Sequence, residues 1–365
     1  MRPARGSGSS VGDVNIIMLR NALFLGAVVF ALAAAPAPSL AQDRLDPIAK
    51  KAKLGSRDRA EIAAEVADRA GRLAQVGTDP DLRSRARDRL IATARIKGAT
   101  KEFLDVYSEA CATELEPLTT REAFETGFDA VWVLVDLDHP RTAGALAAAL
   151  KSAQAPTRLR AARGLQMLQK RIAADDKTCQ VVCRALGEAG ADEREETVLR
   201  VIYEAIDFGA EVKGGKLAEE CARALNSILA GRVRRLKAGD RNETVDQPAV
   251  ALAVRCFAGA SEAQQKQLLA NLTALLSHAV DRYFAADTAE GYLAALADVV
   301  KKTEAAIHDL MKASKGKPPN DTVAATIGKS KNPKNEQPAR TALKDLKTAL
   351  QGDPWNIKFE SSGPG

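Results

Sequence analysis

Between Thr119 and Gly209, residues that start helices recur at a nearly even pitch, and this rhythm limits the fold more than any other feature of the chain. N-cap residues or first-turn prolines stand at Thr119, Asp138, Pro156, Asp175 and Asp192. A helix is therefore predicted to begin roughly every 18 residues and a helix pair to close roughly every 37. Thr119 with Glu122 and Asp192 with Glu195 have capping-box spacing, in which two side chains satisfy backbone N–H groups left over at the helix start. Pro140 and Pro156 fall in first turns, where a missing N–H costs nothing.

Between these starts the apolar residues keep helical spacing. One stripe is Phe124, Phe128, Val131 and Val135; the next is Ala143, Leu146, Ala147 and Leu150; a third is Leu159, Ala162, Leu165, Leu168 and Ile172. Cys179, Val182, Cys183 and Leu186 continue the series, and Val198, Val201, Ile202 and Ala205 extend it. Helices this short are marginal alone. Stacking each stripe on its neighbours is what makes a solenoid stable. Composition agrees: aromatic residues are 4% of the chain, Ala, Leu, Arg, Glu and Lys dominate, and period-two runs of β-branched residues are missing, so the chain reads as all-α.

Asp79, Pro80, Leu82, Arg83, Ala86 and Leu90 resemble the start of a HEAT repeat, with Asp-Pro, an apolar residue, Arg, Ala and Leu at the family's offsets. The resemblance implies an α-α superhelix of the HEAT/armadillo kind, in which the Asp and Arg ladder between repeats. It covers Asp79 to Gly209 and weakens along it: Ala143 stands where the family has Arg, and Arg158 and Arg160 fall on either side of the expected place.

At the N-terminus, Ala22 to Ala35 is an apolar run behind Arg20 and Asn21, closed by Ser39 and Ala41 at the small-residue positions of a signal-peptidase site. The run is too short to span a bilayer comfortably. Residues 1–41 are read as a secretory signal, with Met18 as an alternative start, and the mature chain from Gln42 as exported, periplasmic or secreted, with no membrane span after cleavage. Residues 42–311 are assigned to the helical-repeat domain. Its first helices carry a thin apolar side at Ile62, Ala63, Val66 and Leu73, suited to a terminal cap. Beyond Gly209 the rhythm lapses. A longer helix is predicted from Lys216 to Lys237, a Gly/Asp/Asn-rich turn over Gly239 to Gln247, a short helix to Phe257, and a long helical hairpin started by Ser261 and Asp287. Residues 312–340, poor in apolar side chains, are read as a flexible basic linker, and 341–365 as a short helix with a tail whose Trp355 and Phe359 are candidates to dock on the body.

Five cysteines in an exported chain leave two readings open. Cys111, Cys179, Cys183, Cys221 and Cys256 all lie on apolar stripes, where free thiols pack as small hydrophobes; an inter-helix disulfide is the other reading. Cys179 and Cys183, four apart on one helical face, are also candidate soft-metal ligands for Cu(I) or Zn(II), although a tetrahedral zinc site wants four donors and no histidine is near in sequence. His139, His278 and His308 stand at no ligand spacing from one another and read as surface or helix-end residues. No cofactor is expected: the Gly209 to Lys216 stretch lacks the glycine and hydroxyl positions of a phosphate loop, as does Gly328-Lys329-Ser330.

The formal charge is +6, a mild excess that favours acidic partners. Basic clusters at Arg83, Arg85, Arg87 and Arg89, at Arg158, Arg160 and Arg163, and at Arg232, Arg234, Arg235 and Lys237 are candidate surfaces, the last also explained by the helix dipole. Arg83, Arg87, Arg158, Arg160 and Arg163 are taken as the binding surface. Aromatics are not interleaved with them in sequence, which disfavours nucleic acid. The expected partner is a protein, with an anionic envelope polymer as the alternative. With no convergent catalytic set, the function expected is that of an exported, non-catalytic binding or scaffold protein. The alternatives are a periplasmic enzyme with carboxylates facing across a groove, and thiol or copper handling through Cys179 and Cys183, which requires both sulfurs to meet solvent.

Overall fold

A computed structural model describes residues 44–75, 79–208, 215–328 and 330–359. Residues from Leu45 onward form one compact unit, distinct from Met1–Arg44. The expected signal segment with its alternative start at Met18, and most of the glycine stretch near 209–214, lie outside the described residues.

The described residues are helical, with no strand among them. In chain order the helices are α1 (Asp46–Ala49), α2 (Ser56–Ala74), α3 (Pro80–Ala94), α4 (Lys101–Thr119), α5 (Phe124–Asp136), α6 (Ala143–Ala149), α7 (Ala155–Met167), α8 (Gln169–Ile172), α9 (Asp176–Asp192), α10 (Glu196–Ile206), α11 (Lys216–Lys237), α12 (Gln247–Phe257), α13 (Glu262–Phe284), α14 (Glu290–Ala313), α15 (Val323–Thr326) and α16 (Glu336–Gln351). They pack in two layers. Helices α2, α4, α6, α9, α11 and α13 stack in one, each on the next, while α3, α5, α7, α10, α12 and α14 stack in the other. Successive members of the two layers pair, so the unit is an α-α superhelix of six helix pairs with α13 and α14 as its long hairpin.

Each helix contributes one buried stripe. Val131 and Val135 on α5, Leu146 and Ala149 on α6, Leu165 on α7, Val182 and Leu186 on α9, and Ile202 on α10 are buried, and all belong to one continuous core. At about 25 cal/mol per Å² of apolar area, each leucine or valine so covered contributes about 1.5–3 kcal/mol. Layers in close contact need small residues at the seam. A Cβ at Gly187 would meet the Ala224 backbone at 3.0 Å, one at Gly190 would meet Ile228 at 2.7 Å, and one at Gly231 would meet the Ala191 Cα at 2.6 Å. The α9–α11 seam is therefore set by backbone approach.

Several expected boundaries move. Thr119 starts no helix: it ends α4, and its hydroxyl donates back to the Glu116 carbonyl at 2.8 Å. Asp192 ends α9, and the carboxylate that accepts the free N–H groups of Arg194 and Glu195, both at 3.0 Å, is Glu193. Asp138 takes φ 46° just before a 3-10 turn at Pro140–Thr142. Asp175 does cap α9, accepting from the Thr178 N–H, and Pro156 sits in the first turn of α7. The stack also continues past Gly209, because α11 with α12 and α13 with α14 are further pairs built from longer helices.

The segment read as a flexible basic linker packs instead. Val323 and Ile327 are buried, and the buried Glu304 carboxylate on α14 accepts the Val323 and Ala324 N–H groups, both at 2.7 Å. Composition undervalued two apolar residues and could not foresee a capping carboxylate about 20 residues upstream. The last helix accordingly starts at Glu336, and α15 and α16 close the stack against α14 and α13. Trp355 docks, 3% exposed and 6.3 Å from the Phe257 ring.

Candidate interaction surface

Helix α5 carries a row of three aromatic residues beside its buried stripe. The inward stripe, Val131, Leu134 and Val135 with Ala130, fills the core. Phe124, Phe128 and Trp132, one per turn along the edge of that stripe, are exposed or half-buried, Phe124 at 38%. Their rings touch in sequence, with centroids 5.4 and 5.8 Å apart and Trp132 edge-on to Phe128. Solvent-facing helix positions ordinarily carry charge; a contiguous row of three rings there makes this face a candidate for interaction.

The flanking helices hold guanidinium groups over this row. From α3, Arg87 lies 4.9 Å from the Trp132 ring centroid; from α7, Arg160 lies 4.0 Å from it and 5.9 Å from Phe128. Arg83 and Arg87 share Asp129, each at 3.0 Å. Asp129 is buried, so it fixes both arginines while showing little charge itself. Arg160 is less well matched. Asp136 accepts from it at 3.2 Å, yet Nε has no acceptor. Burial lowers its pKa, Asp136 offsets this in part, and the like charges of Arg87 and Arg163 add to the lowering.

Of the arginines proposed from sequence, Arg83, Arg87 and Arg160 are thus brought together, and Arg163 is exposed one turn beyond Arg160. Arg158 is not part of this surface: it turns to the buried Glu193 and to the Ser152 and Ala153 carbonyls. Arg232 is 1% exposed and bonds Asp246, with Asp240 and Asn242 alongside, so the third cluster is partly a core ion pair. The aromatic row was missed in sequence because Phe124 and Phe128 were placed on the core stripe and because the interleaving with arginine is made in space by three helices.

All five cysteines are free and buried. Cys179 and Cys183 lie 3.9 Å apart, and Cys183 is fully covered, which removes the solvent access that thiol handling through both would need. Hydrogen bonding to Cys183, with burial, pushes the Cys179 thiol far up. Among the described residues no three His, Cys, Asp or Glu side chains are grouped to hold a metal ion. His139 sits at a helix start against Asp105 at 3.1 Å; His278, expected at the surface, instead bonds the buried Glu243 at 3.1 Å from within α13.

A cleft of about 580 Å³ lies between the α6–α7 and α9–α10 turns, lined by Lys151, Arg158, Glu188, Asp192, Glu193 and Arg194 among others. Burial raises the Glu193 pKa, but Arg158 and the N–H groups of Glu195 and Arg194 outweigh it and hold the carboxylate ionised. Asp246 is the buried carboxylate whose pKa is raised, by desolvation; Arg232 and Tyr203 bond it, and the space beside it is only about 10 Å³. No helix among the described residues is long and apolar enough to cross a membrane.

No family model and no curated protein matches the sequence. Among solved structures the chain is similar to two engineered proteins of a structural genomics consortium. One is 14% identical over 78% of this chain and 97% of that one, with a TM-score of 0.35. The other is 16% identical over 80% and 73%, with a TM-score of 0.39. Both are too distant to transfer a function.

Proposed function

We propose that this chain is an exported, non-catalytic scaffold of the HEAT-like solenoid type that binds a protein partner across the outer face of α3, α5 and α7. The observation that carries the proposal is the aromatic row Phe124, Phe128 and Trp132, three rings in contact on a face that is exposed or half-buried. The chain's formal charge of +6 and the arginines beside the row suit a partner that carries carboxylates. Export rests on the N-terminal charge, apolar run and small-residue pattern.

Pull-down from envelope extract with the protein starting at Gln42 tests this, run at low and high salt. Expected is a protein retained by the wild type and lost by Phe124→Ala. Retention indifferent to that substitution ends the proposal for this face. A precursor that is not shortened by about 41 residues on secretion ends the export part.

A further inference from the structure

We infer that the C-terminal end of the stack is a second docking surface, separate from the aromatic row, and that its occupant is an acidic polysaccharide. The first observation is where the charge lies. Residues 42–300 carry 38 Lys and Arg against 39 Asp and Glu, whereas residues 301–365 carry 12 against 7. Beyond residue 41 the whole positive excess therefore belongs to the stretch that builds the second half of α14, then α15, α16 and the tail.

The second observation is that this excess is not used up inside the fold. Arg340 bonds Asp281 and Glu336, Lys302 bonds Asp298, and Lys331 and Lys347 donate to the Ala285 carbonyl and the Ser277 hydroxyl. Lys312, Lys315, Lys317, Lys334, Lys344 and Lys358 are exposed, and among the described residues no acceptor lies within hydrogen-bond reach of their ammonium groups. Of the carboxylates in this stretch, the buried Glu304 is taken up by the Val323 and Ala324 N–H groups, and Asp353 accepts from the Asn356 amide. Asp309, Asp321 and Asp345 remain exposed, and these lysines outnumber them.

The third is how the densest part is held. Lys312, Lys315 and Lys317 lie on the turn that ends α14, closed by the Gly316 N–H donating to the Met311 carbonyl at 2.8 Å. A Cβ at Gly316 would meet the Trp355 indole nitrogen at 2.9 Å, so the tail packs on this turn, and Lys358 follows three residues later. A lysine ammonium is a compact charge on a mobile stem, which attracts negative charge without fixing its orientation. That suits a chain of repeated carboxylates better than a single shaped anion. The apolar side chains of this end face inward: Leu343, Leu346, Leu350, Trp355 and Ile357 are buried, and Phe359 packs on the core. The surface thus offers neither free rings on which bases stack nor apolar side chains that enter a membrane surface.

The test is fluorescence anisotropy with a labelled alginate oligosaccharide and the protein starting at Gln42, over a range of salt concentrations. Expected is binding that the triple variant Lys312→Gln, Lys315→Gln, Lys317→Gln weakens by about ten-fold, with a shallower dependence on salt. A second triple, Lys53→Gln, Lys97→Gln, Lys177→Gln, removes the same charge from exposed lysines elsewhere and is expected to weaken binding by less than about two-fold. Thermal melts of both triples check that each is folded. Failure to bind alginate, or equal loss in the two triples, overturns the inference, the latter because net charge alone would then account for binding. Tighter binding to polyglutamate, to a single-stranded oligonucleotide or to phosphatidylglycerol vesicles than to alginate overturns the choice of occupant. None of these outcomes depends on Phe124, so the scaffold reading stands or falls separately.

Discussion

Arg158 reaches from α7 into the turn between α9 and α10 and grips Glu193 with two parallel bonds, Nε to Oε2 at 2.7 Å and Nη2 to Oε1 at 2.8 Å. The Glu193 side chain is 1% exposed and that of Arg158 is 18% exposed. The two partners therefore differ in what their loss leaves behind. Arg158→Met strands a buried carboxylate and is expected to destabilise the fold by about 3 kcal/mol or more. Glu193→Gln leaves a guanidinium that still has carbonyl acceptors and some water, and is expected to cost less. Urea unfolding at pH 7 ranks the two; the reverse order would contradict this assignment of burial.

The same pair gives acid sensitivity. Folded Glu193 has a pKa below its ordinary value of 4.5, so its stabilisation is present above the ordinary carboxylate range. It is lost as the pH falls through that range toward the folded pKa. The stability gap between wild type and Glu193→Gln is expected to narrow between pH 6 and pH 3, measured by urea midpoints at each pH. A gap that widens on acidification would refute the assignment.

Arg232 and Asp246 are buried together, with Arg232 Nε to Asp246 Oδ1 at 3.0 Å and the Tyr203 hydroxyl donating to the same oxygen at 2.8 Å. Asp246→Leu leaves a buried cation with only the longer contact to Asp240 at 3.4 Å to offset it and is expected to cost about 3 kcal/mol. Adding Arg232→Met to it removes that charge, so the double variant should be more stable than Asp246→Leu alone. Thermal melts of the three proteins decide it.

One substitution should act with opposite sign at two glycines. Gly71, exposed near the end of α2, has open space for 4 Å around the position a methyl group would take, whereas a Cβ at Gly231 presses on the Ala191 backbone. Gly71→Ala is expected to stabilise by about 0.5–1 kcal/mol, and Gly231→Ala to destabilise by about 1–3 kcal/mol as α9 and α11 are pushed apart. Two shifts of the same sign in the melting temperature would show that the seam is looser than described.

Burial pushes the Cys111 and Cys256 thiols up to about 12, and all five cysteines are covered. Thiol reagent at pH 8 is therefore expected to label the native protein slowly. Five thiols per chain should appear in denaturant without reductant. Fewer than five in denaturant would reveal a disulfide.

The stacked architecture was legible because its signal is redundant. Leu146, Leu165, Val182, Leu186 and Ile202 each sit where a period of 3.6 puts them, and a single error leaves the others standing. Helix ends are decided by fewer contacts, and there Thr119 and Asp192 misled. The hydroxyl of Thr119 turned to its own helix, and Arg158, about 35 residues earlier in the chain, fixed the neighbouring Glu193 as the capping carboxylate. The candidate surface was half legible: the arginines were visible as clusters, but Phe124 and Val131, seven residues apart, share one helical face, so the period alone could not tell the exposed ring from the buried valine. The polar links of Glu304 to Val323 and of Arg232 to Asp246 join distant segments through charge, for which no sequence period exists.

Because each helix pair leans mainly on the pairs before and after it, where the stack opens matters as much as how readily. Fraying at α2 or at α16 uncovers one greasy face and leaves a shorter but otherwise intact stack. Rupture at a middle seam such as α9 against α11 uncovers two, and frees both fragments to seek each other or a neighbour's broken end. The glycine-lined junction at the centre is thus where this chain must hold tightest if it is to remain a single molecule instead of an exchanged dimer.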